Sequence, residues 1–381
     1  MSKLLVIYLG SKGGGVLDSF ELVRNFNNQH NNSIELSVLI SENNPLKEEY
    51  RKLNLKNIIV LPTHSRSAID LALQTIFFKR IKKILNAIQV LNPEKVLLTM
   101  DHPWLFFIVK NIRKKLKNTK IFYIKHNPPG FESFSRRFFD FFVNKLSEYL
   151  LKKADFVFTF SEHVRTETLK RYRVPEEKIV AFKLPAYRIL CPKFLYKNNE
   201  LREKLNILFF GRILGYKGID VLVEAYALLK SEGLPVSLTI AGEGKIEKET
   251  LKKIKTLKIH LLNRWIPDEE LCELLSRTDL VILPYTSASQ SGPASIATGL
   301  GIPILATRVG GLQEQVLDNI NGILVEPGNP YSIAQAIRYL LKNPEKLIDL
   351  RKGAQKLREK ELSWEHVAKN IMEIILYEKT S

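Results

Sequence analysis

Residues 280–311 read LVILPYTSASQSGPASIATGLGIPILATRVGG. Two apolar runs, Leu280–Leu283 and Ile302–Ala306, have the length of strands buried on both faces, as parallel sheets require. Between them, Ser289, Gln290, Ser291 and Gly292 precede Pro293. Proline suits the first turn of a helix, and Ser291 is placed to cap that turn. The stretch therefore reads as strand, loop, helix and second strand. Such a helix start can turn backbone N–H groups toward an anion; an ordinary capped helix has the same pattern. No acidic residue lies between Asp279 and Glu314, so any chemistry at this loop cannot come from a carboxylate within it.

The alternation extends outward from here. Runs at Leu4–Leu9, Ile34–Leu39, Asn57–Leu61, Val96–Thr99, Ile121–Ile124 and Phe156–Phe160 read as strands. They are separated by amphipathic segments such as Ala68–Val90 and Phe134–Lys153. The pattern restarts with Asn206–Phe210, Val236–Ile240, Ile259–Leu262 and the two runs above. Alternating strands and helices favour parallel sheets covered by helices. Two successive runs predict an α/β protein of two doubly wound, Rossmann-like domains. The break falls in Pro185–Lys204, where Pro185, Pro192 and the polar KNNELREK show no periodicity. This gives domains at 1–190 and 191–362, and a final helix at 363–381 that can pack back across the boundary. Ligands of open α/β sheets bind beyond the carboxyl ends of strands. Two such domains facing across a cleft would place the site between them, on residues just after strands.

Composition narrows the class. The 381 residues allow two cores, and 45% of them are hydrophobic, which suits a globular chain. Cys191 and Cys272 are too few for a disulfide framework, which leads us to expect a reducing compartment. The opening MSKLLVIYLGSKGGG has too short an apolar run for a signal peptide and reads as a strand. No apolar run reaches the roughly 18 residues of a membrane span. Of the net charge of +18, residues 1–190 supply +15, from 32 Lys and Arg against 17 Asp and Glu. A basic half suits a membrane surface, a nucleic acid or a phosphorylated substrate; a generally Lys-rich composition gives the same numbers.

That charge is concentrated in FFKRIKKIL (Phe77–Leu85), KNIRKKLKNTK (Lys110–Lys120) and FSRRFFDFFVNKLSEYLLKK (Phe134–Lys153). The last places Phe134, Phe138, Phe141, Phe142, Leu146 and Tyr149 near one helical face. Arg136, Arg137, Lys145, Lys152 and Lys153 lie elsewhere or at its ends. A basic helix with such a face can lie in a membrane interface, and a core-facing helix has the same periodicity.

A second stretch, FFGRILGYKGID at Phe209–Asp220, also bears on function. Gly211 follows a strand and lets the chain turn. Arg212 and Lys217 sit five apart around a loop, and Gly218 leads into a helix. Two cations beside a helix start suit a diphosphate; two solvated cations on a turn are the plain alternative.

Together these stretches resemble the C-terminal half of the GT-B glycosyltransferases, in particular the retaining family-four group, glycosyl transferases group 1. The similarity rests on Gly211-Arg212 followed by Lys217-Gly218, on AGEG at Ala241–Gly244, and on the strand end ILPY. It continues through GIPILATRVGG at Gly301–Gly311, Glu314, and NGILVEPGN at Asn321–Asn329. Order and spacing agree over about Asn206–Arg338. The N-terminal half is more loosely similar, through Gly13–Gly15, KHNPPG at Lys125–Gly130 and ADFVFTFSE at Ala154–Glu162.

The resemblance implies transfer of a sugar from a nucleotide-sugar donor to an acceptor, with the anomeric configuration retained. It implies that Arg212 and Lys217 hold the donor diphosphate and stabilise the leaving group. Gly211, with the amides of Ser291 and Gly292, would complete the cradle, and Gln290 would lie beside it. Gly14 and Gly15 would let the N-terminal loop approach the phosphates, and Arg264, Trp265 and Ile266 would flank the nucleobase. His126, just after the Ile121–Ile124 strand, would be the cleft histidine; we group it with Arg212 and Lys217 as catalytic. Asp101 and His102 are acceptor-side candidates. No metal motif stands out, so no metal or cofactor is expected beyond the nucleotide-sugar substrate.

One departure matters. Most members carry two glutamates, separated by seven residues, in this loop and helix. Counting back from Pro303, those positions fall at Ala288 and Ile296. A QSG loop stands there instead. Gln290 can supply a neutral hydrogen bond in place of the first carboxylate; Glu326 is a second candidate on another loop.

The leading expectation is a cytoplasmic enzyme, peripheral on the inner face of the cell membrane. It would act on a glycan or lipid-linked acceptor in surface polysaccharide or glycoconjugate synthesis, with an anionic membrane surface as partner. The missing glutamates motivate a second reading, a catalytically silent homologue acting as a binding or partner subunit. Nucleic-acid binding lacks a recognisable module, and Gly10–Gly15 does not spell the dinucleotide fingerprint G-x-G-x-x-G.

Overall fold

The structure, a computed structural model, describes residues 1–11, 13–30, 33–62, 79–128, 137–187, 191 and 203–377, with the backbone alone for residues 30 and 137–143. The chain forms two compact units, Met1–Phe182 with Trp364–Ser381, and Lys183–Ser363.

In the first unit the chain runs through β1 (Ser2–Tyr8), α1 (Gly14–His30), β2 (Ile34–Ser41), α2 (Lys47–Arg51), β3 (Asn57–Leu61) and α3 (Lys79–Leu91). It continues through β4 (Lys95–Leu98), α4 (Leu105–Lys115), β5 (Lys120–Lys125), α5 (Arg137–Lys153), β6 (Phe156–Thr159), α6 (Glu162–Arg171) and β7 (Ile179–Ala181). The seven strands lie in the order β3-β2-β1-β4-β5-β6-β7, and every pairing is parallel. Leu4 to Tyr8 and Ile121 to Lys125 are buried without interruption, because helices cover both sheet faces and leave no solvent face to alternate toward.

The second unit repeats the plan. It holds β8 (Leu205–Phe210), α7 (Ile219–Ser231), β9 (Val236–Ala241), α8 (Lys248–Thr256), β10 (His260–Leu262), α9 (Asp268–Ser276) and β11 (Leu280–Leu283). Then come α10 (Gly292–Leu300), β12 (Ile304–Thr307), α11 (Leu312–Gln315), β13 (Gly322–Val325), α12 (Pro330–Lys342) and α13 (Glu345–Glu359). The order is β10-β9-β8-β11-β12-β13, again all parallel. The last helix, α14 (Trp364–Tyr377), belongs to the first unit. There the Trp364 ring meets Phe160 at 5.7 Å, and Glu365 O accepts from Gln29 Nε2 at 3.0 Å.

In each sheet the winding reverses beside the first strand, between β1 and β4 and between β8 and β11. The carboxyl ends of the strands at such a reversal are the usual ligand position of doubly wound sheets.

Several details differ from the sequence reading. The units divide at 182/183 and 363/364, not at 190/191 and 362/363. The segment before the expected boundary already packs in the second unit, where Ala186 N donates to Leu362 O and Tyr187 N to Ser295 O. β7 and β13, of three and four residues, were not expected as strands; such short edge runs carry too little pattern to register. Within Ala68–Val90, residues 68–78 lie outside the described residues, as do Phe77, Pro129, Gly130, Phe134 and Arg136. Of Arg137, Phe138, Phe141 and Phe142 only the backbone is described, so the aromatic face read into Phe134–Lys153 lies mostly outside as well.

The cysteine expectation is corrected. Cys191 and Cys272 form a disulfide, with Cα atoms 5.7 Å apart across 81 residues of sequence. It ties the segment entering the second unit to α9. The count of two was right, but a count says nothing about which side chains meet in space, and the inference of a reducing compartment loses its ground.

Candidate functional site

The crevice of the second unit lies where β8 and β11 end. After β8, Gly211 takes φ +116°, a conformation that favours glycine. Gly211 N donates to Ala241 O at 3.0 Å and Ile213 N to Glu243 O at 2.9 Å, tying this loop to the AGEG turn after β9. A Cβ on Gly242 would collide with Gly211 O, and one on Gly244 with Ile213 O. The AGEG glycines therefore permit a close backbone approach that shapes the Arg212 loop. Gly215–Lys217 forms one 3₁₀ turn, and Gly218, at φ +66°, starts α7.

This turn drives Lys217 inward, to 9% exposure. Its Nζ lies 3.7 Å from the centroid of the Tyr285 ring and 5.0 Å from that of Tyr216, so two aromatic faces hold the cation. Tyr285 follows β11, and Thr286 N donates to Tyr216 O at 2.8 Å, joining the two loops across the switch point. Burial pushes the Lys217 ammonium down to about 8, with the Arg212 cation acting in the same direction. Arg212 itself is exposed at the mouth.

The α10 N-terminus completes the crevice. Pro293 Cγ lies 3.3 Å from where a Cβ on Gly211 would stand. Ser291 caps the helix, its Oγ accepting from Ala294 N at 3.2 Å. Ser291 N, expected in the phosphate cradle, is instead buried and donates to Gln315 Oε1 at 2.7 Å. Pro293 has no N–H, which leaves Gly292 as the first-turn donor without a described partner; a Cβ there would meet nothing within 4 Å. Gln290 is half-buried in the same loop.

The remaining candidates of this unit lie farther along the sheet. Arg264 is exposed and engaged by Glu270 through two hydrogen bonds of 2.8 and 2.6 Å. Trp265 is 68% exposed, beside half-buried Ile266. Glu326 is exposed just after β13. Ala288 and Ile296 are both buried, and Ala288 O accepts from Gly311 N at 3.1 Å. Sequence reasoning missed Tyr285 and Gln315. The first was visible only as the end of a strand; the second depends on contacts between residues 20 to 24 apart.

The first unit carries its own polar cluster beyond β1, β4 and β5. His126 Nε2 lies 2.8 Å from Thr99 O, and its Nδ1 lies 3.5 Å from buried Asp18 Oδ2. A carbonyl only accepts, so Nε2 carries the proton, and both ring nitrogens face protein groups. A sugar hydroxyl reaching His126 would have to displace one of them. The Asp101 carboxylate accepts from Tyr123 OH and, at 2.9 Å, from buried Lys125 Nζ. His102 Nδ1 accepts from Trp104 N at 3.2 Å, and burial pushes its imidazole down to about 4. It is therefore neutral at pH 7, with Nε2–H as its free-standing donor type. Gly14 is exposed at the start of α1 with open space around it, whereas a Cβ on Gly15 would sit 3.4 Å from Tyr8. Among the described residues, no group of three or more His, Cys, Asp and Glu is placed to hold a metal ion.

Comparisons with known proteins bear on the family and the fold. Residues 193–357 match the family glycosyl transferases group 1. A D-inositol 3-phosphate glycosyltransferase of Corynebacterium urealyticum is 31% identical over 176 residues, 44% of this chain and 41% of that protein. An uncharacterized glycosyltransferase of Methanocaldococcus jannaschii is 29% identical over 237 residues, 61% of this chain and 62% of that protein. The matches thus span less than two thirds of either relative. Over the whole chain the likeness is one of fold. Anabaena HepE in complex with UDP and glucose superposes with a TM-score of 0.74 at 17% identity, covering 98% of this chain and 99% of that one. The lipopolysaccharide outer core galactosyltransferase WaaB gives 0.70 at 15% identity, covering all of both chains. Residues 193–357 thus match the glycosyl transferases group 1 family, and the chain as a whole shares the fold of these solved structures, with two parallel-sheet α/β units.

Proposed function

We propose that the protein transfers a sugar from a nucleotide-sugar donor to a glycan or lipid-linked acceptor, with retention, in surface polysaccharide or glycoconjugate synthesis. The observation that carries this reading is the buried Lys217 ammonium at the β8/β11 switch point, with Arg212 beside it. In the transfer, the bond from the anomeric carbon to the β-phosphate oxygen breaks and a bond to the acceptor oxygen forms. The departing nucleoside diphosphate keeps the electron pair, and its freed oxygen takes up the proton that the acceptor hydroxyl loses. Lys217, Arg212 and the Gly292 N–H are preorganised for that growing negative charge, which is where such groups accelerate a reaction. The relatives bearing glycosyltransferase names support the same class. The test is transfer or donor hydrolysis across a panel of nucleotide-sugars, with Arg212→Ala and Lys217→Ala beside the unaltered protein. Unchanged rates in both variants would overturn the assignment.

The buried, uncharged Ala288 and Ile296 favour one second reading, a silent homologue that binds a nucleotide-sugar without turning it over. Binding without transfer or hydrolysis in the same panel is its signature. The first unit also suits an anionic membrane surface, as expected of an enzyme on the cytoplasmic face using a lipid-linked acceptor. α3 and α4 hold no acidic residue, and exposed Phe106 lies under Lys110 Nζ at 5.8 Å. Salt-sensitive sedimentation with anionic vesicles, absent with oligonucleotides, is the expected result. Among the described residues, no helix is long and apolar enough to cross a membrane.

A further inference from the structure

We propose that Gln315 is a positioning residue for the donor diphosphate: it fixes the α10 N-terminus and, through Ser291 and Tyr285, the place of the Lys217 ammonium. The inference rests on the donor-site reading above and adds to it a residue outside the loop and the strand ends.

Gln315 ends α11 and is buried at 2% exposure. Its Oε1 accepts from Ser291 N at 2.7 Å, and its Nε2 donates to Ser291 O at 3.0 Å. One side-chain amide thus grips both backbone groups of the helix cap, much as a neighbouring strand would. The second Nε2 proton goes to Ser295 Oγ at 2.9 Å, one turn into α10. Both amide protons and the carbonyl oxygen are therefore used. Gln315 is itself held from below, because Asn321 Nδ2 donates to Gln315 O at 3.0 Å and to Thr298 Oγ1 at 3.1 Å.

The grip passes toward the crevice. Ser291 Oγ lies 3.3 Å from Tyr285 OH, and the face of that ring carries the Lys217 ammonium. Gln315, Ser291, Tyr285 and Lys217 form one continuous buried chain, and such a chain acts as a unit rather than as independent contacts. Only an amide can do this work. A carboxylate at 315 could not donate to Ser291 O, and an apolar side chain would leave Ser291 N–H buried without its partner and Ser291 O with the helical Ser295 N alone. With no carboxylate at 288 or 296, the loop is set by a neutral clamp on its backbone.

The experiment titrates UDP, GDP, ADP and dTDP into the full chain by calorimetry. It uses the unaltered protein, Lys217→Ala, Gln315→Met, Tyr285→Phe and the Gln315→Met/Tyr285→Phe double variant. Gln315→Met should weaken the best nucleoside diphosphate by roughly tenfold. Tyr285→Phe keeps the ring under Lys217 and folds even if Gln315→Met does not; it should weaken binding by roughly threefold. The double variant should bind no more weakly than Gln315→Met alone, because both break one chain. A merely structural role would lower Tm while leaving the affinity unchanged. Wild-type affinity in Gln315→Met and Tyr285→Phe, or strict additivity in the double variant, overturns the inference alone. Failure of the unaltered protein to bind any of the four, or equal binding by Lys217→Ala, overturns the donor-site reading and the inference with it.

Discussion

Replacing Lys217 by Met should stabilise the second unit while abolishing the proposed diphosphate site. The ammonium is buried, and its ordinary value of 10.5 is pushed down to about 8. At 1.36 kcal/mol per tenfold change, holding the charged form in the fold costs about 3 kcal/mol. The Tyr285 face at 3.7 Å offsets about 1–2 kcal/mol of that. Methionine is an unbranched side chain that can fill the space beside the rings without the charge, so a net gain of about 1–2 kcal/mol is expected. For a unit of this size that is a rise in Tm of about 2–8 °C at pH 7. The sign with pH follows from linkage. The folded value lies below the unfolded one, so between about 8 and 10.5 the unfolded chain binds the additional proton, and wild-type stability rises with pH. Below about 8 the cost is fully present. The Tm advantage of Lys217→Met should therefore narrow as pH goes from about 7 to about 10. Calorimetric scans at several pH values measure this, with nucleoside diphosphate titrations alongside. A lowered Tm at pH 7, an advantage that stays constant with pH, or an undiminished affinity would each refute the reasoning.

Arg212 is exposed, so Arg212→Ala should leave Tm within about 1 °C and lower kcat/KM for the donor by about tenfold, an effect that weakens as salt rises. Gly218→Ala would force an L-residue into φ +66° and drive its Cβ into Pro284 O. A loss of about 3 kcal/mol or more in urea unfolding is expected, whereas Gly215→Ala, with open space around it, should be close to neutral. Opening the Cys191–Cys272 bridge by Cys272→Ser should cost up to about 4 kcal/mol for a loop of 81 residues. Dithiothreitol should lower the Tm of the unaltered protein and leave that variant unmoved.

The fold was legible because buried parallel strands announce themselves: Leu280–Leu283 and Asn57–Leu61 were read to the residue. The Ser291 cap was legible too, since a cap is a local event between residues three apart. What could not be read is whatever depends on distant partners. The amide of Ser291 looked free for a phosphate, but Gln315, 24 residues on, takes it. Tyr285 looked like the end of a strand until the Gly215–Lys217 turn placed a cation on its face. The disulfide joins two cysteines whose separation carries no signal. AGEG was read by resemblance alone; its physical reason, the backbone approach of Gly242 to Gly211, is invisible without the sheet order β9-β8.

The absence of carboxylates from the loop and the depressed value of Lys217 are two views of one arrangement. An acid within about 4–6 Å of an ammonium favours the charged form and would raise its pKa. Burial lowers the Lys217 value, Tyr216 opposes that, and the Arg212 cation pushes the same way as burial. Among the described residues, no ion pair involves Lys217. Its positive charge is thus held by ring faces, which attract it weakly and move little, rather than by an acid that an incoming phosphate would have to displace. An anion entering the crevice regains the full attraction of a desolvated cation, strongest where charge is greatest, as on a departing diphosphate. In the proposed transfer, stabilisation of the leaving group would rest on Lys217, Arg212 and the Gly292 N–H, with no acid in the loop.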